Sequence, residues 1–389
     1  MANNFKMLAK TMHGFEDMLA KELTDLGAIN VEKGVRSVTF EGDTGFMYKA
    51  NLCLRTAIKI LKPIRTFFVR SEQDLYDKVY RMEWERMMKV NQTFAVDATV
   101  NSDLFNHSKY ISLKTKDAIV DRFRNILGKR PNVDIKYPDL RINIHIQRNQ
   151  VTISLDSSGQ SLHQRGYKTA TNIAPINEVL AAGILLQSGW DGQSDFLDPM
   201  CGSGTLCIEA AMIACNIPAN INRREFAFEK WADYDEELFE KIVESSLKKT
   251  REFHHKIYGY DKAPSAARKA ADNVKNANLA EYITIEQKDF FASEKEGDEK
   301  LHMVFNPPYG QRLEIKEFEE FYRNIGDTLK NHYANTEAWF ITADPEAVKN
   351  VGLRPSRKIK LYNGKLESRL YKYDIYAGSK KAKFKKPQS

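Results

Sequence analysis

The sequence predicts an α/β protein: an open, Rossmann-like, mostly parallel sheet closed by a C-terminal antiparallel hairpin and preceded by α+β units. Three observations carry this. From Asp195 to Thr342 short apolar strands alternate with helical patterns, the rhythm of a parallel sheet with helices on both faces. Near the end, Lys358–Tyr362 and Arg369–Tyr376 flank Asn363-Gly364, a strong hairpin turn signal. Before Asp156 the rhythm differs, with strands and helices in an order that suggests two small α+β units.

In chain order, Phe15 to Leu26 has apolar residues at helical spacing and ends at Gly27. Val35 to Phe40 alternates like a strand, and Phe46 to Ile60 reads as helix. Thr93 to Val100 is strand-like, and Ser112 to Leu127 is an amphipathic helix stopped by Gly128. Arg141–Gln147 and Val151–Asp156 form two strands around an Arg-Asn-Gln turn. The second part predicts strands at Asp195–Asp198, Lys256–Tyr260, Tyr282–Glu286, Leu301–Phe305 and Ala338–Thr342. Helices are predicted at Thr205–Cys215, Pro264–Ala277 and Phe318–His332. A charged helical insertion, Pro218 to Glu252, interrupts this alternation, and the tail after Gly378 is expected to be disordered.

The chain has 389 residues, 42% of them hydrophobic, which suggests two or three domains with real cores. No apolar run approaches the ~20 residues that span a bilayer. The N-terminus lacks the apolar centre of a signal peptide, and the 4 cysteines make no disulfide framework. A cytoplasmic protein with no membrane partner is expected. Charge is uneven: Met1 to Leu155 holds 25 Lys+Arg against 18 Asp+Glu, whereas Asp156 to Gly378 is net −5 and the last 11 residues hold 5 lysines and no acid. A basic front and tail fit a polyanion gripped outside the chemical centre. No histidine pairs with Cys201, Cys207 or Cys215 at zinc spacing, so no metal is expected.

Two stretches carry the chemistry. In "FLDPMCGSGTLCIEAA", Asp198 ends a strand, and Met200, Gly202, Gly204 and Thr205 form a tight loop opening a helix. Ligands of parallel sheets bind beyond the carboxyl ends of the strands, and glycines there let them approach the backbone. An acid beside the loop disfavours phosphate and suits an ammonium or sulfonium group. Asp261 ends the next strand, where a carboxylate can accept from two ribose hydroxyls. Asp289 follows the third, placed for an adenine amino group, with Phe290 against the ring. The ordered set spells a nucleoside with a positive tail, such as S-adenosylmethionine.

The second stretch is "FNPPYG". Asn306, Pro307, Pro308 and Tyr309 follow the fourth strand at the same sheet edge. The prolines fix the backbone, so its carbonyls point in set directions. The side-chain oxygen of Asn306 and the carbonyl of Pro307 can accept both N–H groups of a planar amine and free its lone pair for a methyl group. Tyr309 can stack on the base, which would have to be extruded from a folded RNA to reach the slot. His163, Gln164 and Arg165 read as a solvated linker ahead of this domain.

With these residues in view, "RGYKTATNIAPINEVLAAGIL", "LDPMCGSGTLCIEAAM" and "NPPYGQRL" resemble the THUMP-domain, class I S-adenosylmethionine-dependent RNA guanine-N2 methyltransferases. Within that family the resemblance is to the N-terminal half of the bifunctional bacterial 23S ribosomal RNA large-subunit enzymes. It implies a ferredoxin-like unit, an RNA-binding THUMP domain and a catalytic methyltransferase domain, here expected over 1–50, 51–156 and 165–378, ahead of the basic tail over 379–389. It also implies that Asn177 and Glu178 lie near the methionine end of the cofactor. The expected partner is RNA, 23S ribosomal RNA or a ribosomal precursor particle, with no obligate protein partner. The bifunctional relatives carry a second methyltransferase domain, so one modification rather than two is expected here. Transfer RNA as the substrate, and a non-catalytic RNA-binding assembly factor, are the alternatives.

Overall fold

The computed structural model describes residues 4–105, 107–168, 176–308, 315–364 and 366–376. They fall into two compact units, one of Met1–Thr11, Leu19–Leu162 and Arg223–Ser246, the other of Met12–Met18, His163–Asn222 and Leu247–Ser389.

The first unit is built on strands β1 (Phe5–Thr11), β2 (Ile29–Lys33), β3 (Ser37–Gly42), β4 (Ala57–Phe68), β5 (Thr93–Asn101), β6 (Asn132–Val133), β7 (Leu140–Gln147) and β8 (Gln150–Asp156). Its helices are α1 (Glu16–Leu26), α2 (Thr44–Cys53), α3 (Glu72–Tyr80) and α4 (Ser108–Leu127). All eight strands join one sheet in the order β2-β3-β1-β4-β8-β7-β5-β6. The pair of α+β units read from sequence therefore share a single sheet, and β4 is the seam, pairing with β1 on one side and β8 on the other. Local chemistry sets the helix ends. Asp43 accepts the Phe46 N–H at the start of α2, Ser71 accepts from Asp74 at the start of α3, and Gly128 ends α4 in the left-handed region.

One expectation fails here. The helix expected over Phe46 to Ile60 stops at Cys53, because Leu54 is extended and the chain enters β4. Met47, Ala50 and Leu52 are buried on the helix, whereas Ala57, Ile60 and Leu61 are buried on a strand. A run of apolar residues with mixed spacing hid the change of period.

In the second unit α5 (Glu178–Ser188) leads into β9 (Asp195–Asp198) and α6 (Thr205–Ala214). The chain then leaves for the first unit: 223–246, including most of α7 (Glu236–Leu247), belongs there. Phe226, Phe228 and Trp231 join the first unit's core, with Phe228 stacked on Tyr48 at 4.4 Å between ring centroids. The stretch expected to be a charged insertion thus contributes aromatic core to the N-terminal sheet. The second unit resumes with β10 (Ile257–Asp261), α8 (Pro264–Asn276), β11 (Ile283–Gln287), β12 (Leu301–Phe305), α9 (Ile315–His332), β13 (Thr336–Thr342), α10 (Ala347–Asn350), β14 (Arg357–Asn363) and β15 (Leu366–Ile375). Its seven strands run β11-β10-β9-β12-β13-β15-β14, parallel except that β15 is antiparallel to both β13 and β14.

Candidate active site

In this sheet the connections after β9 run to one side and those after β12 to the other, so the order reverses between two hydrogen-bonded neighbours. A crevice opens outside the carboxyl ends of the strands at such a point. Register fixes what reaches it. Gly259 of β10 lies beside Asp198, so Asp261 projects two residues beyond it. Met303 of β12 lies beside Leu197, so Asn306 emerges just past the end of β9.

At the end of β9, Asp198 is 2% exposed and its Oδ1 accepts the Met200 N–H at 3.1 Å. Burial pushes this carboxyl well above the usual carboxylate range, and the charge of Asp261 pushes it the same way, against the Met200 hydrogen bond. Two carboxyl groups share the loop, and a positive ligand group beside them would favour their ionised forms. Asp261 also shapes the loop itself. Its Oδ2 accepts the Gly202 N–H at 3.0 Å and its Oδ1 the Ala263 N–H at 2.9 Å. Gly204 sits at φ 78°, and a Cβ there would meet the Cβ of Ala270 at 3.2 Å. Only glycine fits both constraints. Thr205 opens α6, which has no side-chain cap at its N-terminus. Asn273, buried on α8, donates to the Ser203 carbonyl at 3.0 Å and holds the loop from behind. Sequence reasoning missed Asn273; its one signal was an amide on the apolar face of an amphipathic helix.

Beyond β11, Asp289 is exposed and its Oδ1 accepts the Phe291 N–H at 3.0 Å. Phe290, expected against the adenine ring, lies in the hydrophobic core next to Asp289. It is 2% exposed, with its ring 5.4 Å from that of Tyr333 and 5.9 Å from that of Phe305. Asn177 is the N-cap of α5, accepting from Val179 at 3.0 Å and Leu180 at 3.2 Å. Glu178, 5% exposed, pairs with Lys168 at 3.0 Å.

The fourth strand ends differently. Phe305 is fully buried, and Asn306, Pro307 and Pro308 follow outside regular structure. The Asn306 Oδ1 is buried and has no hydrogen-bond partner among the described residues. A buried amide oxygen left unpaired costs about 1–3 kcal/mol, so it marks a place where a donor is expected to arrive. Tyr309, like the basic tail, lies outside the described residues.

Arg165 corrects another expectation. It is 1% exposed, not part of a solvated linker. Its Nε lies 3.3 Å from Glu209 Oε1 on α6, and its Nη1 donates to Asn220 at 3.1 Å. The Tyr167 hydroxyl donates to the same Glu209 oxygen at 3.2 Å. Breaking a buried, hydrogen-bonded pair of this kind costs several kcal/mol, so the segment entering the domain is locked to the helix behind the glycine loop.

Comparison with known proteins places the chain in a family. Residues 165–372 match the family model described as "RMKL-like, methyltransferase domain", residues 69–156 a THUMP domain, and residues 6–61 an RlmL ferredoxin-like domain. A Syntrophotalea carbinolica protein named ribosomal RNA large subunit methyltransferase K/L is 38% identical over 95% of this chain. The chain spans about half the length of such relatives, 53% in that case. A Synechocystis protein whose name proposes an RNA methyltransferase is 34% identical, covering 95% of this chain and 96% of that one. Among solved structures, SMU.472, a proposed methyltransferase complexed with SAH, superposes with a TM-score of 0.85 at 30% identity, covering 97% of this chain and all of that one. The chain belongs to the RMKL-like methyltransferase family, with ferredoxin-like and THUMP domains ahead of a class I, S-adenosylmethionine-dependent catalytic sheet.

Proposed function

We propose that this protein methylates the exocyclic N2 of a guanine in 23S ribosomal RNA, as free RNA or in a precursor particle, in the cytoplasm. The observation that carries the reading is the buried Asn306 Oδ1, without a partner among the described residues, at the carboxyl end of β12 beside the acids of β9 and β10. The acids fit a cofactor with a cationic centre, and the left-handed glycines let it lie against the backbone. When bound, S-adenosylmethionine supplies a methyl group already activated for transfer. Asp198 and the loop through Met200, Gly202, Gly204 and Thr205 would hold its methionine end, with Asn177 and Glu178 behind. Asp261 would take the ribose hydroxyls and Asp289 the adenine amine.

The chain's own contribution to the reaction is positioning. Asn306 Oδ1 and the Pro307 carbonyl accept the two N–H groups of the guanine amine. That pulls the lone pair out of conjugation with the ring and aims it at the methyl carbon. Pro307 and Pro308 hold the acceptors in place because their φ angles are fixed. Tyr309 stacks on the extruded base. The basic N-terminal unit, through its THUMP domain, grips the RNA.

The test is methyl transfer from labelled S-adenosylmethionine to total RNA lacking its modifications, followed by fractionation and nucleoside analysis. Label in N2-methylguanosine of 23S RNA is the expected result. Label confined to transfer RNA would overturn the substrate. No label in naked RNA or precursor particles, with tight RNA binding retained, would favour a non-catalytic assembly factor.

A further inference from the structure

Resting on that reading, we propose that the β14–β15 hairpin is the catalytic unit's own grip on the substrate RNA backbone, with Lys358, Lys360 and Arg369 as phosphate contacts and Tyr362 as a stacking surface. The first observation is charge. Asp156 to Gly378 is net −5, yet Leu353 to Lys372 holds seven Lys+Arg and one Glu. This stretch is locally basic in an otherwise acidic part of the chain.

The second observation is register. Directly opposed residues of an antiparallel pair share a face. Lys358 lies opposite Tyr371, Lys360 opposite Arg369, and Tyr362 opposite Glu367, so these six side chains share one face. Lys360 and Arg369 are thus like charges held directly opposite each other, an arrangement that destabilises a sheet. Glu367 relieves it in part, pairing with Lys360 at 2.8 Å. Arg357, Lys358 and Arg369 form no salt bridge among the described residues. Mutually repelling cations on an exposed sheet edge make sense where a polyanion supplies the missing counter-charge.

The third observation is position. Arg369 is paired with Thr342 at the carboxyl end of β13, and Phe340 with Phe305, so the hairpin tip overhangs the same edge as Asn306. Two inter-strand steps of about 4.8 Å place the β15 backbone roughly 10 Å across the sheet from β12. That suits the backbone of nucleotides flanking an extruded base. Aromatic surface is present as well. Tyr362 and His13 form a T-shaped pair with 5.2 Å between ring centroids, and the Lys360 ammonium lies 5.4 Å from the Tyr362 ring. Interleaved cations and rings are the usual means of holding single-stranded nucleic acid.

The experiment measures affinity of the full chain for an unmodified 23S ribosomal RNA transcript across a salt series. It compares wild type with Lys360→Ala/Arg369→Ala and with Glu367→Gln. The double variant should bind about tenfold more weakly at moderate salt, with a log–log salt slope shallower by about 1.4, since each single-strand phosphate contact contributes about 0.7. S-adenosylmethionine affinity should be unchanged and KM for RNA raised, with kcat kept. Glu367→Gln, which frees Lys360, should tighten RNA binding a few-fold and so excludes a mere folding defect. Wild-type binding with neither variant altered would overturn the hairpin assignment and leave the RNA reading standing. A wild-type chain that binds no RNA would overturn both.

Discussion

The carboxyl ends of β9 and β12 lie side by side and are built on opposite principles. After β9 the polar groups answer one another: Met200 donates to Asp198, Gly202 and Ala263 donate to Asp261, and Asn273 donates to Ser203. After β12 two prolines replace donors with rigid geometry, and the Asn306 Oδ1 is left without a partner among the described residues. The first end is a finished cradle and the second an open socket. A cofactor common to many reactions can be met by a preformed loop. Under the proposed function, the acceptor base is recognised by hydrogen bonds that exist only once it has arrived, which is where binding energy lowers a barrier.

The sharpest way to break that contrast is to remove the socket's acceptor. Asn306→Ala should lower kcat by about a thousandfold, roughly 4 kcal/mol, in line with the loss of an electrostatic contact made in the transition state. Cofactor affinity by calorimetry should stay within about twofold; near-normal turnover would sink the amine-clamp account. The cradle should fail in the opposite sense. Asp261→Ala should weaken S-adenosylmethionine about thirtyfold, close to 2 kcal/mol, by removing a ligand acceptor and the anchor of the Gly202 N–H, with kcat at saturating cofactor falling far less. Gly204→Ala should cost about 1–2 kcal/mol of stability in a denaturant titration, from left-handed strain plus the contact with Ala270, and should weaken cofactor binding with it.

The smallest effect is the most specific to Asp198. Its carboxyl titrates above the usual range in the free protein, and a cation beside it would favour the ionised form. Between those two pKa values the free protein carries more protons than the complex. Cofactor binding should therefore release protons, and affinity should rise with pH by a few-fold before levelling off. Calorimetry in buffers of different ionisation enthalpy reads the release directly, and a pH-independent affinity would argue against a cation at Asp198.

The sequence made the second sheet legible because its strands are buried apolar runs bounded by turn signals, and its site residues follow the strands they cap. Asp198, Asp261, Asp289 and Asn306 all fall at the ends of strands located from pattern alone. What stayed hidden depended on long-range partners. The alternating pattern of β4 is broken by Pro63, where the register with β8 shifts, and follows directly on a helix. Arg165 reads as polar linker until Glu209, 44 positions later, is brought beside it. Phe290 reads only as a ring beyond a strand end until Tyr333 and Phe305 are brought beside it. Helical period, strand alternation and turn chemistry are local, whereas these features are decided by packing.

The excursion at 223–246 has a consequence for inheritance. The backbone passes between the two units five times, and Phe226, Phe228 and Trp231, though encoded between α6 and β10, complete the N-terminal core beside Tyr48. A fragment starting at His163 would keep those three rings and lose the surface that buries them, gaining a sticky apolar patch. A fragment ending at Leu162 would lack part of its own interior. Neither piece is a transferable cassette. A gene encoding this catalytic sheet with its excursion has to carry the N-terminal sheet along, and recombination that swaps one for a foreign counterpart would leave a hole in one and an unsatisfied hook on the other.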